Sequence, residues 1–182
     1  MLPLMNAKNF EIFWEQPNGW QRSFVLSSGE AIYAKLDFNS AFSTLADAIT
    51  EGEHWTFKRI GCFSTWVSVQ WTGSKVDLAT YHPNWTGSQG QIQLSYDKLY
   101  TWRISNFWGT RYSINREDGL ELIAYQSGSR TWIFTNLFKQ QAQVISRPEA
   151  WQIKELPILM LLGWYLVILR QEDSAAAAVV VT

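Results

Sequence analysis

Leu156-Pro157-Ile158-Leu159-Met160-Leu161-Leu162-Gly163-Trp164-Tyr165-Leu166-Val167-Ile168-Leu169 carries no charge, and its reading decides the fold. Pro157 stands near the start of the run, where a helix does not need the missing N–H. Glu155 precedes it and Arg170 follows it, each with the sign that suits the nearer end of a helix dipole. Leu156, Leu159, Leu162, Leu166 and Leu169 fall on one side of such a helix. Ile158, Met160, Leu161, Trp164, Val167 and Ile168 cover the rest. A helix that is apolar all round belongs in a protein core or in a membrane. At about 1.5 Å per residue the run is about 21 Å long, short of the roughly 30 Å of a bilayer core. Arg170, Glu172 and Asp173 oppose an extension through lipid. A buried helix over 155–170 is therefore expected, with a tail anchor or membrane hairpin as the alternative.

Almost everything upstream reads as strand. Residues 9–15, 22–26, 31–38, 55–60, 66–71, 76–81, 92–94, 99–104, 110–115, 120–126, 132–136 and 142–146 alternate apolar and polar side chains or are rich in Val, Ile, Trp and Tyr. In 31–38, Ile32, Ala34, Leu36 and Phe38 are expected to share a face. Phe42–Ile49 fits a strand or a short helix, and strand is preferred. Turn signals such as Pro17-Asn18-Gly19 and Arg116-Glu117-Asp118-Gly119 separate the runs. An echo at about 45 residues sets Phe57-Lys58-Arg59 against Trp102-Arg103-Ile104, and Leu78-Ala79 against Ile123-Ala124. About twelve strands followed by one all-round apolar helix predict a mostly β protein: a single closed antiparallel barrel with the helix through its centre. Closure removes exposed sheet edges, and a barrel this wide needs a plug or encloses a cavity. One domain over 1–174 is expected. The tail 175–182 is left open between disorder and an extra turn of helix.

Composition limits function. The chain has 182 residues with 11 Trp and a net charge of −1, too little positive charge for a general nucleic-acid binder. It has one cysteine, Cys62, which allows no intramolecular disulfide and fits a reducing compartment. The N-terminus lacks the basic and apolar regions of a signal peptide. A cytoplasmic location is expected, with peripheral membrane attachment as its extension.

Trp55-Thr56-Phe57-Lys58-Arg59-Ile60-Gly61, Thr101-Trp102-Arg103 leading to Asn106-Phe107-Trp108-Gly109, and Glu155 through Arg170 resemble the tubby C-terminal-like superfamily. That superfamily includes tubby proteins, phospholipid scramblases and LURP-one-related proteins, and the chain is most similar to uncharacterised bacterial members. The resemblance runs from about Phe10 to Arg170. It implies a twelve-stranded barrel around a hydrophobic C-terminal helix, and a role in phosphoinositide binding or at membranes.

Catalytic patterns are sparse. His54, His82 and Cys62 stand at no metal-site spacing, and no metal or other cofactor is expected. No Gly-x-Ser-x-Gly elbow occurs. Gly73-Ser74-Lys75 and Gly87-Ser88-Gln89-Gly90 lack the spacing of a phosphate loop. Glu117/Asp118 and Glu172/Asp173 read as solvated acids rather than an acid–base pair. The candidate anion- or lipid-binding residues are Lys58, Arg59, Arg103 and Arg111, with Lys58 and Arg103 at equivalent places in the echo. The preferred reading of them is outward charges that protect strands from aggregation, because isolated basic residues fall short of the dense clusters expected for lipid recognition. The expectation is a non-enzymatic binding or scaffold barrel whose partner is an anionic membrane surface or a protein. A carrier of a small apolar ligand is the alternative. Oligomeric state is not legible.

Overall fold

The computed structural model describes residues 1–61, 64–95, 97–128 and 140–180, with 179 and 180 by backbone alone. The expected strand Trp132–Asn136, Cys62 and the end of the tail lie outside the described residues. The strands are β1 (Ile12–Glu15), β2 (Ser23–Ser28), β3 (Ala31–Phe38), β4 (Ala46–Thr50), β5 (Glu53–Ile60), β6 (Trp66–Trp71), β7 (Asp77–Pro83), β8 (Gln89–Leu94), β9 (Lys98–Ile104), β10 (Arg111–Arg116), β11 (Glu121–Ser127) and β12 (Gln141–Ser146). Each pairs antiparallel with its neighbours in sequence, and β1 pairs with β12, so the sheet closes into a barrel. A 3₁₀ turn, Pro148–Gln152, leads from β12 into the helix α1 (Leu156–Val180).

The helix is inside. Every residue from Leu159 to Leu169 other than Gly163 is a buried hydrophobic, and Gly163 is buried as well. Aromatic contacts reach it from around the ring: Trp14 of β1 stacks on Trp164 at 5.9 Å, and Phe57 of β5 meets Tyr165 edge-on at 5.4 Å. From the other side Tyr125 of β11 donates its hydroxyl to the Met160 carbonyl at 3.0 Å. Geometry explains the fit. Twelve strands about 4.8 Å apart and tilted by about 40° form a ring about 24 Å across. The walls claim about 5 Å each, and the remaining width, about 14 Å, takes one helix of about 10–12 Å. A tail anchor would need this helix in lipid. Among the described residues no helix is long and apolar enough to cross a membrane.

The wall has the opposite polarity to a membrane-spanning barrel. In β8 the outward Gln89, Gln91 and Gln93 are exposed while Ile92 and Leu94 are buried. One expected face is corrected. The register steps from Leu26↔Ala34 to Ser27↔Ile32, which gives β3 an extra residue at Tyr33. That bulge reverses the alternation, so Tyr33 and Ala34 are buried and Ile32 is 40% exposed. Phe42–Ile49 divides: Ala46–Thr50 is a strand and Phe42 lies in the preceding loop. The helix also exceeds its expected end at 170. It continues for 25 residues to Val180, past the rim of the barrel.

The 45-residue echo has a structural counterpart. Lys58 pairs with Ser68 between β5 and β6, and Arg103 pairs with Ser113 between β9 and β10, so the register repeats after a step of four strands.

Candidate functional site

In an up-and-down barrel, successive loops alternate between the two ends. The helix enters at the end that carries the β2–β3, β4–β5, β6–β7, β8–β9 and β10–β11 turns, where Lys98 pairs with Glu155 at 2.7 Å. Those turns are charged: Glu30, Glu51, Asp97, Glu117 and Asp118 lie in or beside them. It emerges at the opposite end, among the β1–β2, β3–β4, β5–β6, β7–β8 and β9–β10 loops. The described residues of these loops contain no Asp or Glu.

Among the described residues, each of the five most exposed large apolar side chains lies on a loop at this exit end. They are Trp20 on β1–β2, Phe42 on β3–β4, Trp85 on β7–β8, and Phe107 and Trp108 on β9–β10, all at least 80% exposed. Asparagines shape three of the four loops. Asn18 Oδ1 accepts from the Trp20 N–H at 3.1 Å, and Asn84 Oδ1 accepts from the Thr86 hydroxyl at 3.1 Å. Asn106 Oδ1 accepts from the Thr110 and Arg111 amides at 3.0 and 3.1 Å. Such bonds, to the backbone or to a neighbouring hydroxyl, order a turn without burying its tip. The Phe42 loop is held by Arg22, which donates to the carbonyls of Ser40, Ala41 and Ser43 at 3.0, 3.3 and 2.6 Å. Between these loops the helix passes the rim, and Ala175 to Ala178 are exposed.

Two ion pairs secure the emerging helix. Arg22 Nη2 lies 2.7 Å from the Glu172 carboxylate, and Arg59 makes a bidentate pair with Asp173 at 2.9 and 2.7 Å. Burial raises the Glu172 carboxyl above its ordinary value, and the Arg22 charge and hydrogen bond oppose that rise. Beside the helix, a cleft of about 610 Å³ opens between Leu166–Asp173 and the β5–β6 and β7–β8 loops.

The four basic residues singled out from the sequence do not form one cluster. Arg59 faces inward at the exit rim and is held by Asp173. Lys58 points outward from the wall. Four strands away Arg103 also points outward, and Asn115, with its amide oxygen turned to it, accepts from its Nε and Nη2 at 3.2 and 3.1 Å. Arg111 is on the same outer face as Arg103, one strand over, and pairs with Glu121 at 2.5 Å. The structure thus brings Arg103 and Arg111 near each other and leaves Lys58 and Arg59 apart from them. His54 and His82 belong to opposite ends of the barrel, with His82 stacked on Trp66 at 5.7 Å.

Sequence reasoning missed the aromatic loops, Arg22 and Arg170. A signal for the loops was present: an Asn one or two places before Trp20, Trp85, Phe107 and Trp108. Only topology shows that they share an end. The fold and this end define a class, a helix-filled twelve-stranded barrel with one aromatic end. No family model, curated protein or solved structure matches the chain.

Proposed function

We propose that this protein is a non-enzymatic binding barrel that docks on a membrane surface with its helix-exit end. One observation carries the reading: among the described residues, the most exposed Trp and Phe side chains all belong to loops of that end, on turns whose described residues include no carboxylate. Exposed apolar groups gathered in one place mark an interaction surface, and Trp is favoured where water meets lipid. Burying a large apolar side chain contributes roughly 1.5–3 kcal/mol, so even partial insertion of five gives usable affinity. The exposed alanines of the emerging helix add a short apolar projection at the centre of the crown. We also propose membership of the tubby C-terminal-like superfamily, supported by the order of elements, twelve strands and then the enclosed helix. The carrier alternative has less support. Trp14, Phe24, Tyr125 and Trp164 fill the space between helix and wall.

Flotation of the purified chain with vesicles of phosphatidylcholine, alone or with phosphatidylserine, tests this. The wild-type chain is expected to float with both. The variant Trp20→Ala/Phe42→Ala/Trp108→Ala is expected to stay at the bottom with an unchanged melting temperature. Equal flotation of the two chains, or none for the wild type, overturns the reading.

A further inference from the structure

We propose that Asn18 is a modification site: the Gly19 nitrogen converts its amide to a carboxylate without an enzyme, and the new charge weakens docking of the exit end. The chemistry stands on the loop alone, and its consequence rests on the membrane reading above.

An asparagine loses its amide when the backbone nitrogen of the next residue reaches its Cγ. A side chain on that next residue obstructs the approach, and glycine has none. Asn18-Gly19 is the only Asn-Gly pair in the chain. It lies in the β1–β2 loop, with Asn18 exposed and Gly19 half-buried. Among the described residues, the Gly19 N–H and the Asn18 Nδ2 donate to no acceptor, so neither reacting group is tied down. The bonds that are present suit the reaction. The Asn18 carbonyl accepts from the Gln21 N–H at 3.0 Å and closes the turn, and Asn18 Oδ1 accepts from the Trp20 N–H at 3.1 Å. That second bond folds the side-chain amide over the turn that contains the Gly19 nitrogen. It also sets a donor on the oxygen where negative charge develops. Gln16, 7% exposed, donates its Nε2 to the Gly19 and Gln21 carbonyls at 3.4 and 2.7 Å and holds the turn in place.

The Gly19 nitrogen passes its proton to solvent and bonds to Asn18 Cγ. The Cγ–Nδ2 bond breaks, and ammonia leaves with a proton taken from solvent. One water then opens the resulting succinimide at either carbonyl, giving aspartate or the β-linked isoaspartate. The other asparagines of the crown are protected. Bulky Trp85 and Phe107 follow Asn84 and Asn106. Asn106 is also bound at both ends of its amide, with Nδ2 donating to the Thr110 hydroxyl at 2.8 Å and Oδ1 accepting from two backbone amides.

The described residues of the exit-end loops contain no Asp or Glu. The product places a carboxylate in the loop of Trp20, which is 96% exposed. The β-linkage lengthens the backbone there and undoes the turn. Anionic lipid repels such a charge, and drawing it into the interface is costly. Ammonia does not return, so docking declines with the age of each molecule.

Ageing the purified full chain at mildly alkaline pH, followed by digestion and mass spectrometry of every asparagine, tests the site. Asn18 is expected to convert several-fold faster than any other asparagine, with isoaspartate as the main product. The backbone at Gly19 is not left-handed, so Gly19→Ala keeps the turn and should slow conversion several-fold. Another asparagine converting as fast as Asn18, or equal rates in the wild type and Gly19→Ala, overturns the site. Fresh wild type and aged Gly19→Ala should float alike with phosphatidylserine vesicles. Aged wild type, and fresh Asn18→Asp, should float several-fold less. Converted wild type that floats like the fresh protein overturns the effect on docking. Fresh wild type that fails to float overturns the membrane reading instead, and mass spectrometry still decides the site.

Discussion

Gly163→Ala replaces a poor helix former with the best one, in the middle of the longest helix, and is expected to destabilise the protein. Helix propensity alone favours alanine by roughly 0.8–1 kcal/mol. The structure opposes it. A Cβ at 163 would lie 2.3 Å from the Tyr125 hydroxyl oxygen, 2.7 Å from its Cζ and 2.8 Å from Ile114 Cδ1. Tyr125 is fully buried, and its hydroxyl donates to the Met160 carbonyl at 3.0 Å, with the Leu159 carbonyl at 3.3 Å. The ring has to move by about an ångström inside a packed core, and strain of this kind costs roughly 1–3 kcal/mol. A hydroxyl left without its acceptor in the interior costs a further 1–3 kcal/mol or so. The balance is a net loss of about 2–4 kcal/mol. In a protein of this size that lowers the melting temperature by about 5–15 °C. Urea denaturation of the wild type, Gly163→Ala, Tyr125→Phe and the double variant measures it. The double variant should recover part of the loss, because removing the hydroxyl removes the closest of the three contacts. A Gly163→Ala protein within about 0.5 kcal/mol of the wild type, or more stable, would refute the claim that Gly163 makes room for Tyr125.

Trp164→Asp and Leu161→Asp each place a carboxylate at an interior site 0–1% exposed and should yield no folded soluble protein; wild-type solubility and melting of either would contradict an enclosed helix. Tyr165 donates its hydroxyl to the Thr44 carbonyl at 2.5 Å, so Tyr165→Phe should cost about 1–2 kcal/mol in urea denaturation. Burial pushes the Glu155 carboxyl up, but the hydrogen bond and charge of Lys98 outweigh it and hold it below its ordinary value near 4.5. The pair therefore stabilises the fold above that pH and loses its effect as pH falls through the folded value. Lys98→Met should flatten the fall in the urea midpoint below pH 4.5, and an unaltered profile counts against the pair. Lys58→Glu/Arg103→Glu reverses two outward charges near the exit end. It should leave the protein folded, at a cost of about 1–3 kcal/mol for the Arg103 bonds to the Asn115 amide, reduce flotation with phosphatidylserine vesicles about tenfold or more, and leave phosphatidylcholine flotation as it was.

The strands and the helix were legible because their signals are local. Alternation in Ala31–Phe38 and Trp66–Trp71 marked those strands to the residue, and the run from Leu156 marked a helix that had to be enclosed. Where local pattern misled, a long-range pairing was responsible. Ile32 left the core because of a bulge set by β2, and the helix outran Arg170 because Arg22 and Arg59 pair with the acids that looked like its end. The four basic candidates were chosen by residue type, which is blind to the direction of a side chain. On β5 the neighbours Lys58 and Arg59 face opposite sides of the wall.

The sequence by itself determined that twelve or so strands precede one helix whose apolar run is too greasy for water and too short for a bilayer, since periodicity and length are properties of neighbouring residues. Tertiary structure alone decided that Trp20, Phe42, Trp85, Phe107 and Trp108 meet at one end, that Arg59 is held by Asp173 while Arg170 lines the cleft without a carboxylate partner among the described residues, and that a glycine is needed inside the helix. Closing the barrel sends alternate loops to the same end, and so gathers residues that are far apart along the chain.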